Sequence, residues 1–208
     1  MNHILQYIHQ EIQRGVPRHP MAYKHTKEWD EYYELKPEGK RALQHLAHWI
    51  NPNHTLKVRR TFEKATGELK ASIIKTRVAD LDIYSPRDSF DYRLSVSVES
   101  PWDGPEEHLI TSSNDAGADR MKDRLSYKHR DYQIDLTQIM HRNADHKDHE
   151  VEIEINAPAL MAALDGPQRE QPELYEKCVN GFVDNIRILA QKATDAISMP
   201  PLPTKPPG

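Results

Sequence analysis

Polar and apolar residues alternate along several short stretches of this chain, and the alternation predicts antiparallel β-strands. In residues 150–155 three glutamates alternate with Val151, Ile153 and Ile155, so a strand would carry carboxylates on one face and apolar side chains on the other. The same period of two recurs in residues 56–62, 73–78, 91–99, 122–127 and 132–137. Together these stretches predict a sheet with one apolar face and one charged face.

The charged face has two interpretations. An antiparallel sheet with one face in water gives the same alternation, and this is the simpler interpretation of any single strand. However, Glu is a poor strand former, and the charged positions of the other strands include several Lys and Arg residues. These features favour an α+β fold built on an antiparallel β-barrel with flanking helices, whose polar charged lumen has acidic strands facing basic strands.

Helical patterns flank the predicted strands. Apolar spacing predicts one helix over residues 3–14 and another over residues 38–50, with a strand over 23–35 between them. The barrel strands are predicted between residues 55 and 156. A long amphipathic helix is predicted over 172–193, and the residues on its packing face are Leu174, Cys178, Phe182, Ile186, Leu189 and Ala193.

Two polar segments between the strands, residues 101–119 and 141–149, are predicted to be loops. The second contains a group of potential metal ligands, namely His141, Asp145, His146, Asp148 and His149. Because their spacing is irregular, a loop is the preferred interpretation over a zinc site. The proline-rich residues 199–208 are predicted to be unpacked.

Composition excludes several classes of protein. With 208 residues, 37% of them hydrophobic, the chain can bury one core, so residues 1–195 are predicted to form one domain and 196–208 a Pro-rich tail. A net charge of -4 argues against an extended nucleic-acid-binding face. The single Cys178 excludes an internal disulfide and does not lie in a cysteine-phosphatase loop. No apolar run is long enough to predict a membrane span.

A lumen that carries charges of both signs suits the hydrolysis of a phosphoanhydride, because basic groups can hold a polyanion while carboxylates hold a divalent cation. Several segments support this chemistry, and they are residues 23–26 with Asp30, 75–99, 122–127, 134–137 and 150–155. In order and approximate spacing these segments resemble the fungal-type mRNA 5′-triphosphatases. That family belongs to the triphosphate tunnel metalloenzymes.

The resemblance implies a role for each charged position of the lumen. Glu154 resembles a direct metal ligand, and Glu150 and Glu152 resemble positions that hold metal-bound waters or lumen cations. Such oxygen ligands suit Mg²⁺ or Mn²⁺. The positions that resemble the basic residues gripping the phosphates are Arg59, Lys75, Lys122 and Arg124. Those that resemble residues orienting water, holding the basic groups or forming a weaker hydrogen bond are Glu99, Asp135 and Thr137.

Without the resemblance, structural salt bridges within the lumen would be the simpler explanation of these residues. With it, the implied reaction is metal-dependent hydrolysis of the γ-phosphate from the 5′-triphosphate end of nascent mRNA, the first step of cap formation. Membership of the family also implies a nuclear location and RNA guanylyltransferase as a partner. Homodimers are common in the family, but the residues of this sequence do not indicate one.

One feature of the family has no match in this sequence. Its enzymes carry a first strand with a Glu-x-Glu pair that supplies two further metal ligands, and no such strand precedes Tyr23. The tunnel domain is therefore expected to be N-terminally incomplete. Two alternatives stay open: an inactive phosphate-binding or assembly module that lacks half of the metal site, and a general tunnel-type tripolyphosphatase.

Overall fold

The computed structural model of the chain describes residues 20–43, 56–111, 119–142, 145–164 and 172–198, together with Leu5, Gln6, His9, Gln10 and Arg14. An antiparallel sheet of eight strands organises these residues. The strands are β1 (Ala22–Leu35), β2 (Lys57–Glu63), β3 (Leu69–Ile83), β4 (Tyr92–Pro101), β5 (Leu109–Thr111), β6 (Arg120–His129), β7 (Tyr132–His141) and β8 (Lys147–Ile155). Their order across the sheet is β4-β3-β2-β1-β6-β7-β8, and the short β5 pairs with β1.

The sheet curls into a half-barrel, which confirms the predicted antiparallel barrel architecture. The long central strand β1 pairs with β6 along its first part and with β2 along its last part. Register shifts between Thr61 and Phe62 and between Arg77 and Ala79 mark β-bulges, which bend and twist a sheet locally. Among the described residues, β4 and β8 form the two edges of the half-barrel.

The hydrophobic core lies on the convex face of the sheet. One buried cluster lies behind β1 to β4 and consists of Leu35, Leu43, Val58, Ile74 and Trp102. A second lies behind β6 to β8 and consists of Leu5, Met21, Tyr127 and Leu189. Burying a large apolar side chain of this kind stabilises a fold by roughly 1.5–3 kcal/mol. Because the apolar positions of the strands turn to this side, the charged positions that alternate with them occupy the concave face.

The helices of the described part flank this sheet, and they are α1 (Pro37–Ala42), α2 (Ala157–Leu164) and α3 (Pro172–Ser198). The predicted packing of α3 beneath the barrel is confirmed, since Leu189 enters the second cluster and the Tyr132 hydroxyl donates to the Cys178 carbonyl oxygen at 2.9 Å. Farther along α3, the backbone N–H of Ser89 donates to Thr194 Oγ1 at 2.8 Å. No described helix is long and apolar enough to cross a membrane.

Both predicted loops were wrong in extent. Both ends of 141–149 are strand, because β7 ends at His141 and β8 begins at Lys147. The segment 101–119 contains a 3-10 helix at Glu106–His108 as well as β5. Elements of three residues are too short to show a period in the sequence.

Helix α2 was not predicted, and α3 extends beyond its prediction. The side-chain oxygen of Asn156 accepts a hydrogen bond from the Ala159 N–H at 3.0 Å, which caps the start of α2. Helix α3 ends at Ser198 rather than near Ala193. Residues 196–198, which were predicted to belong to the Pro-rich tail, are therefore helical.

Parts of other predictions lie outside the described residues. The helix predicted over 38–50 is observed at Pro37–Ala42, and residues 44–50 are not described. The described positions of the first predicted helix are helical, and they are Leu5, Gln6, His9, Gln10 and Arg14. The rest of the 3–14 segment and the proline-rich residues 199–208 lie outside the described part of the chain.

Candidate active site on the concave face

The register of the strands brings the alternating charged positions together on the concave face. Glu28 of β1 lies opposite Lys122 of β6, while Arg124 lies opposite Thr137 of β7, which lies opposite Glu150 of β8. The predicted site residues on this face are Arg59, Lys75, Glu99, Lys122, Arg124, Asp135, Thr137, Glu150, Glu152 and Glu154. The strands thus place all of the predicted positions on one side of the sheet, and their chemical roles stay predictions.

A buried carboxylate, Asp30 of β1, lies at the centre of the concave face. Asp30 is fully buried. Its Oδ2 lies 2.9 Å from Lys122 Nζ and 3.5 Å from the Arg120 guanidinium. Thr61 Oγ1 donates a hydrogen bond to the Asp30 carboxylate at 2.6 Å. Burial lowers the pKa of Lys122, and the Asp30 charge opposes that change. Asp30 therefore keeps a buried ammonium group charged within the sheet.

Arg124 is held by several side chains of β7 and β8. Its NH1 lies 3.3 Å from Asp135 Oδ2, its NH2 lies 3.7 Å from Glu152 Oε2, and its Nε donates to Thr137 Oγ1 at 3.2 Å. Gln133 Nε2 also donates to both carboxylate oxygens of Asp135, each at 3.1 Å. These contacts fix the direction of the guanidinium, a planar group suited to recognising phosphate.

The wall formed by β2, β3 and β4 carries looser ion pairs. Lys75 Nζ lies 3.2 Å from Glu99 Oε1, and the Arg59 guanidinium lies 3.9 Å from the same oxygen. About half of the Lys75 and Glu99 side chains is exposed. Exposed pairs of this length contribute little free energy, so the two basic groups can exchange this carboxylate for a phosphate at low cost.

The acidic edge of the sheet comes close to this basic wall across the concave face. Burial raises the pKa of Glu154, and the neighbouring carboxylates of Glu152 and Asp135 raise it further. Lys75 opposes the rise while Glu99 adds to it. Since these last two side chains belong to β3 and β4, the curl of the sheet brings its two edges within electrostatic reach of each other.

The donor chemistry at Glu154 fits a divalent cation, because several carboxylates share one region and destabilise one another's charge. Mg²⁺ and Mn²⁺ prefer such oxygen ligands. Within the described residues, however, no three His, Cys, Asp or Glu side chains are arranged to hold a metal ion. Within the described residues, the carboxylates of β8 could therefore supply no more than part of a ligand set.

The predicted site residues did not include several residues of the concave face, and they are Glu28, Tyr32, Thr61 and Arg120. Asp30 was noted only as part of the resemblance to the family, without a role in the site. Even-numbered polar positions of the 23–35 strand were the available signal, but this strand carries charged and aromatic residues on both faces. The structure also shows unused donors here. In the described part of the chain, the Nε atoms of Arg59 and Arg120 are buried without a hydrogen-bond partner, which leaves N–H groups unpaired at this face.

The histidine group at the β7–β8 turn contacts Asp148 and Gln138. His141 Nε2 lies 3.4 Å from Asp148 Oδ2, and His146 Nε2 lies 3.6 Å from Asp148 Oδ1. His149 lies 3.0 Å from Gln138 Nε2. No metal-binding group occurs here or elsewhere among the residues that the structure describes.

Comparison with known proteins identifies the family. A protein-family model described as "mRNA capping enzyme, beta chain" matches residues 1–195. The chain belongs to this family. The mRNA-capping enzyme subunit beta of Schizosaccharomyces pombe is 33% identical over 183 residues, which are 84% of this chain and 52% of the relative. That of Candida glabrata is 34% identical over 146 residues, 65% of this chain and 24% of the relative. The chain thus spans about half or less of the length of these capping-enzyme beta subunits.

Solved structures of an RNA triphosphatase share the fold. The S. pombe Pct1 RNA triphosphatase in complex with the Spt5 CTD matches with a TM-score of 0.68 and 31% identity, over 91% of this chain and 65% of that one. A second structure of S. pombe Pct1 RNA triphosphatase gives a TM-score of 0.66 and 30% identity over the same shares. The resemblance to the fungal-type mRNA triphosphatases is therefore confirmed.

Proposed function

We propose that this chain acts as an RNA 5′-triphosphatase, which hydrolyses the γ-phosphate from the 5′-triphosphate end of nascent mRNA in the first step of cap formation. The observation that carries the proposal is the shared concave face. Four basic side chains and a group of carboxylates converge there in a capping-enzyme beta chain. A face with both signs suits a polyanionic substrate and its counter-cation.

The basic residues of the concave face would bind the triphosphate. Arg59, Lys75, Lys122 and Arg124 are the groups that contact phosphate oxygens and neutralise charge as the γ-phosphate leaves. Asp135 and Thr137 orient the Arg124 guanidinium through the contacts described above. Glu99 is shared by Arg59 and Lys75, so it sets the spacing of these two groups before the substrate arrives.

The carboxylates of β8 would hold Mg²⁺ or Mn²⁺, with Glu154 as a direct ligand and Glu152 and Glu150 holding metal-bound waters. When bound, the metal polarises the γ-phosphate. A cation at this position needs further oxygen ligands, and an acidic Glu-x-Glu strand beside the open edges of the half-barrel would supply them. We therefore propose that the active enzyme includes such a strand.

The family supplies the proposed setting of this reaction. The proposed partner is an RNA guanylyltransferase, which would use the diphosphate end that the reaction leaves. The proposed location of both reactions is the nucleus. A homodimer is proposed on the same ground. Because the related Pct1 was solved with the Spt5 CTD, a peptide of that kind is a further proposed partner.

Two alternative functions make different predictions. An inactive phosphate-binding module is favoured by the incomplete set of metal ligands among the described residues. It would bind tripolyphosphate without hydrolysing any substrate. A general tripolyphosphatase would hydrolyse inorganic tripolyphosphate in preference to triphosphate-ended RNA.

Release of labelled phosphate from γ-labelled 5′-triphosphate RNA with Mg²⁺ separates these functions. We expect the 208-residue chain to be slow, because misplacing a reacting group by about 1 Å can cost roughly a hundredfold in rate. Joining a designed Glu-x-Glu strand ahead of Met1 should restore release, and the matched control carries Gln-x-Gln in the same strand. Absence of release from the extended protein would contradict the proposal, and preference for tripolyphosphate would support the second alternative.

A further inference from the structure

Tyr32, at the centre of β1, is an aromatic residue on the largely polar concave face. Its register partner is Arg59 of β2. The guanidinium carbon of Arg120 lies 5.6 Å from the centroid of the Tyr32 ring, within the range of a cation–π contact. Tyr32 thus lies beside two guanidinium groups.

Arg120 has few other contacts that could fix its direction. Its ion pair with Asp30 is long, at 3.5 Å, because the short contacts of that carboxylate go to Lys122 and Thr61. The buried Arg120 Nε has no hydrogen-bond partner among the described residues. The Tyr32 side chain, whose ring lies beside the guanidinium and whose hydroxyl is hydrogen-bonded to Arg120, is therefore placed to fix its direction.

An aromatic partner differs from a carboxylate in one respect that matters for phosphate binding. A carboxylate that fixes an arginine also cancels its charge, whereas a neutral ring attracts the cation through its quadrupole and leaves the net charge in place. Burial raises the pKa of the Tyr32 phenol, and Asp30 adds to the rise while Arg120 and Arg59 oppose it. The phenol consequently stays neutral at physiological pH.

We infer that Tyr32 is a positioning residue of the triphosphate site, which holds the Arg120 guanidinium toward the concave face without neutralising it. The inference rests on the proposed function, because it gives Arg120 a phosphate group to bind. It also explains an aromatic ring among charged side chains where a second carboxylate would have fixed Arg120 equally well. Removing the ring should release the guanidinium while leaving the strand pairing intact.

Calorimetric titration of the whole chain with inorganic tripolyphosphate tests this inference. Tyr32→Leu should weaken binding roughly two- to thirtyfold, the range expected for losing a cation–π contact. Tyr32→Phe keeps the ring but removes the hydroxyl that is hydrogen-bonded to Arg120, so its affinity should lie between those of the unmodified chain and Tyr32→Leu. Tyr33→Leu is the matched control, because the Tyr33 hydroxyl donates to Glu31 on the convex face.

A double-mutant comparison separates positioning of Arg120 from general damage. In an Arg120→Ala background, Tyr32→Leu should cause no further loss of affinity, because the group that it positions is gone. Tyr32→Gln repeats the comparison with a polar side chain, so the outcome does not depend on one variant folding. Equal losses in both backgrounds would overturn the inference. Failure of the unmodified chain to bind tripolyphosphate would instead contradict the proposed function.

Discussion

Replacing Asp30 with Asn tests the buried ion cluster at the centre of the concave face. The substitution keeps the size of the side chain and removes its charge. In the structure this carboxylate is fully buried and lies 2.9 Å from Lys122 Nζ, whose side chain is 5% exposed. The variant therefore leaves an ammonium group buried without its closest counter-charge.

The expected loss of free energy of unfolding in Asp30→Asn follows from the burial of both Asp30 and Lys122. Removing one member of a buried ion pair typically destabilises a protein by about 3–5 kcal/mol, because the remaining charge loses its compensation. The Asn side chain can still accept the hydrogen bond from Thr61, so we expect the lower end, about 3 kcal/mol. For a domain of this size such a loss lowers the melting temperature by roughly 6–12 °C.

Urea denaturation followed by circular dichroism measures this difference, with Asp123→Asn as the matched control. Asp123 lies on the convex face of β6, pairs with His25 at 2.6 Å and Lys27 at 3.3 Å, and is 41% exposed. An exposed pair of this kind contributes about 1 kcal/mol or less. If Asp30→Asn cost no more free energy of unfolding than Asp123→Asn, the account of a buried ion cluster would be wrong.

Three further predictions concern the metal, the buried lysine and the acidic edge. The 208-residue chain should bind Mn²⁺ weakly, because its described residues lack a full ligand set, and tight stoichiometric binding in calorimetry would contradict this. Burial lowers the pKa of Lys122, so its charge is lost at lower pH than for an ordinary lysine. Tripolyphosphate affinity measured across the alkaline range should fall earlier than in Lys122→Arg, and identical profiles would exclude the lysine from binding. Glu154→Ala should abolish phosphate release in the extended protein. Its melting temperature should stay unchanged or rise, because a like-charge repulsion disappears. An active Glu154→Ala variant would show that Glu154 is not a ligand of the metal.

The alternation of polar and apolar residues was sufficient to predict the strands and the face to which their charges turn. In 150–155 and 132–137 the apolar positions share one face of the sheet and the charged positions share the other, so the period of two is clear. In β1 both faces carry polar and aromatic residues, with Trp29 stacked on Phe62 on the convex face and Tyr32 on the concave face. The pattern therefore did not show which face of β1 carries Asp30, although Asp30 and Lys122 were both among the positions that resemble the family.

The features that could not be predicted from the sequence depend mainly on pairing between distant segments. The single sequence does not show which strands become neighbours, and the central position of β1 between β2 and β6 depends on contacts across some hundred residues. Helix α2 was missed because its sequence, Ala157 to Leu164, is apolar on all sides and shows no amphipathic period. Its local signals were the capping oxygen of Asn156 and Pro158 in the first turn.

The most direct test of the central claim, that the concave face binds the triphosphate, is a crystal structure of this chain soaked with inorganic tripolyphosphate. The account predicts phosphate density on the concave face, within hydrogen-bond distance of Lys75, Lys122 and Arg124. Asp135 should still hold Arg124, and the Glu99 contact of Lys75 should be exchanged for a phosphate oxygen. Density on the convex face, or a concave face that stays free of phosphate at saturating concentration, would contradict the claim.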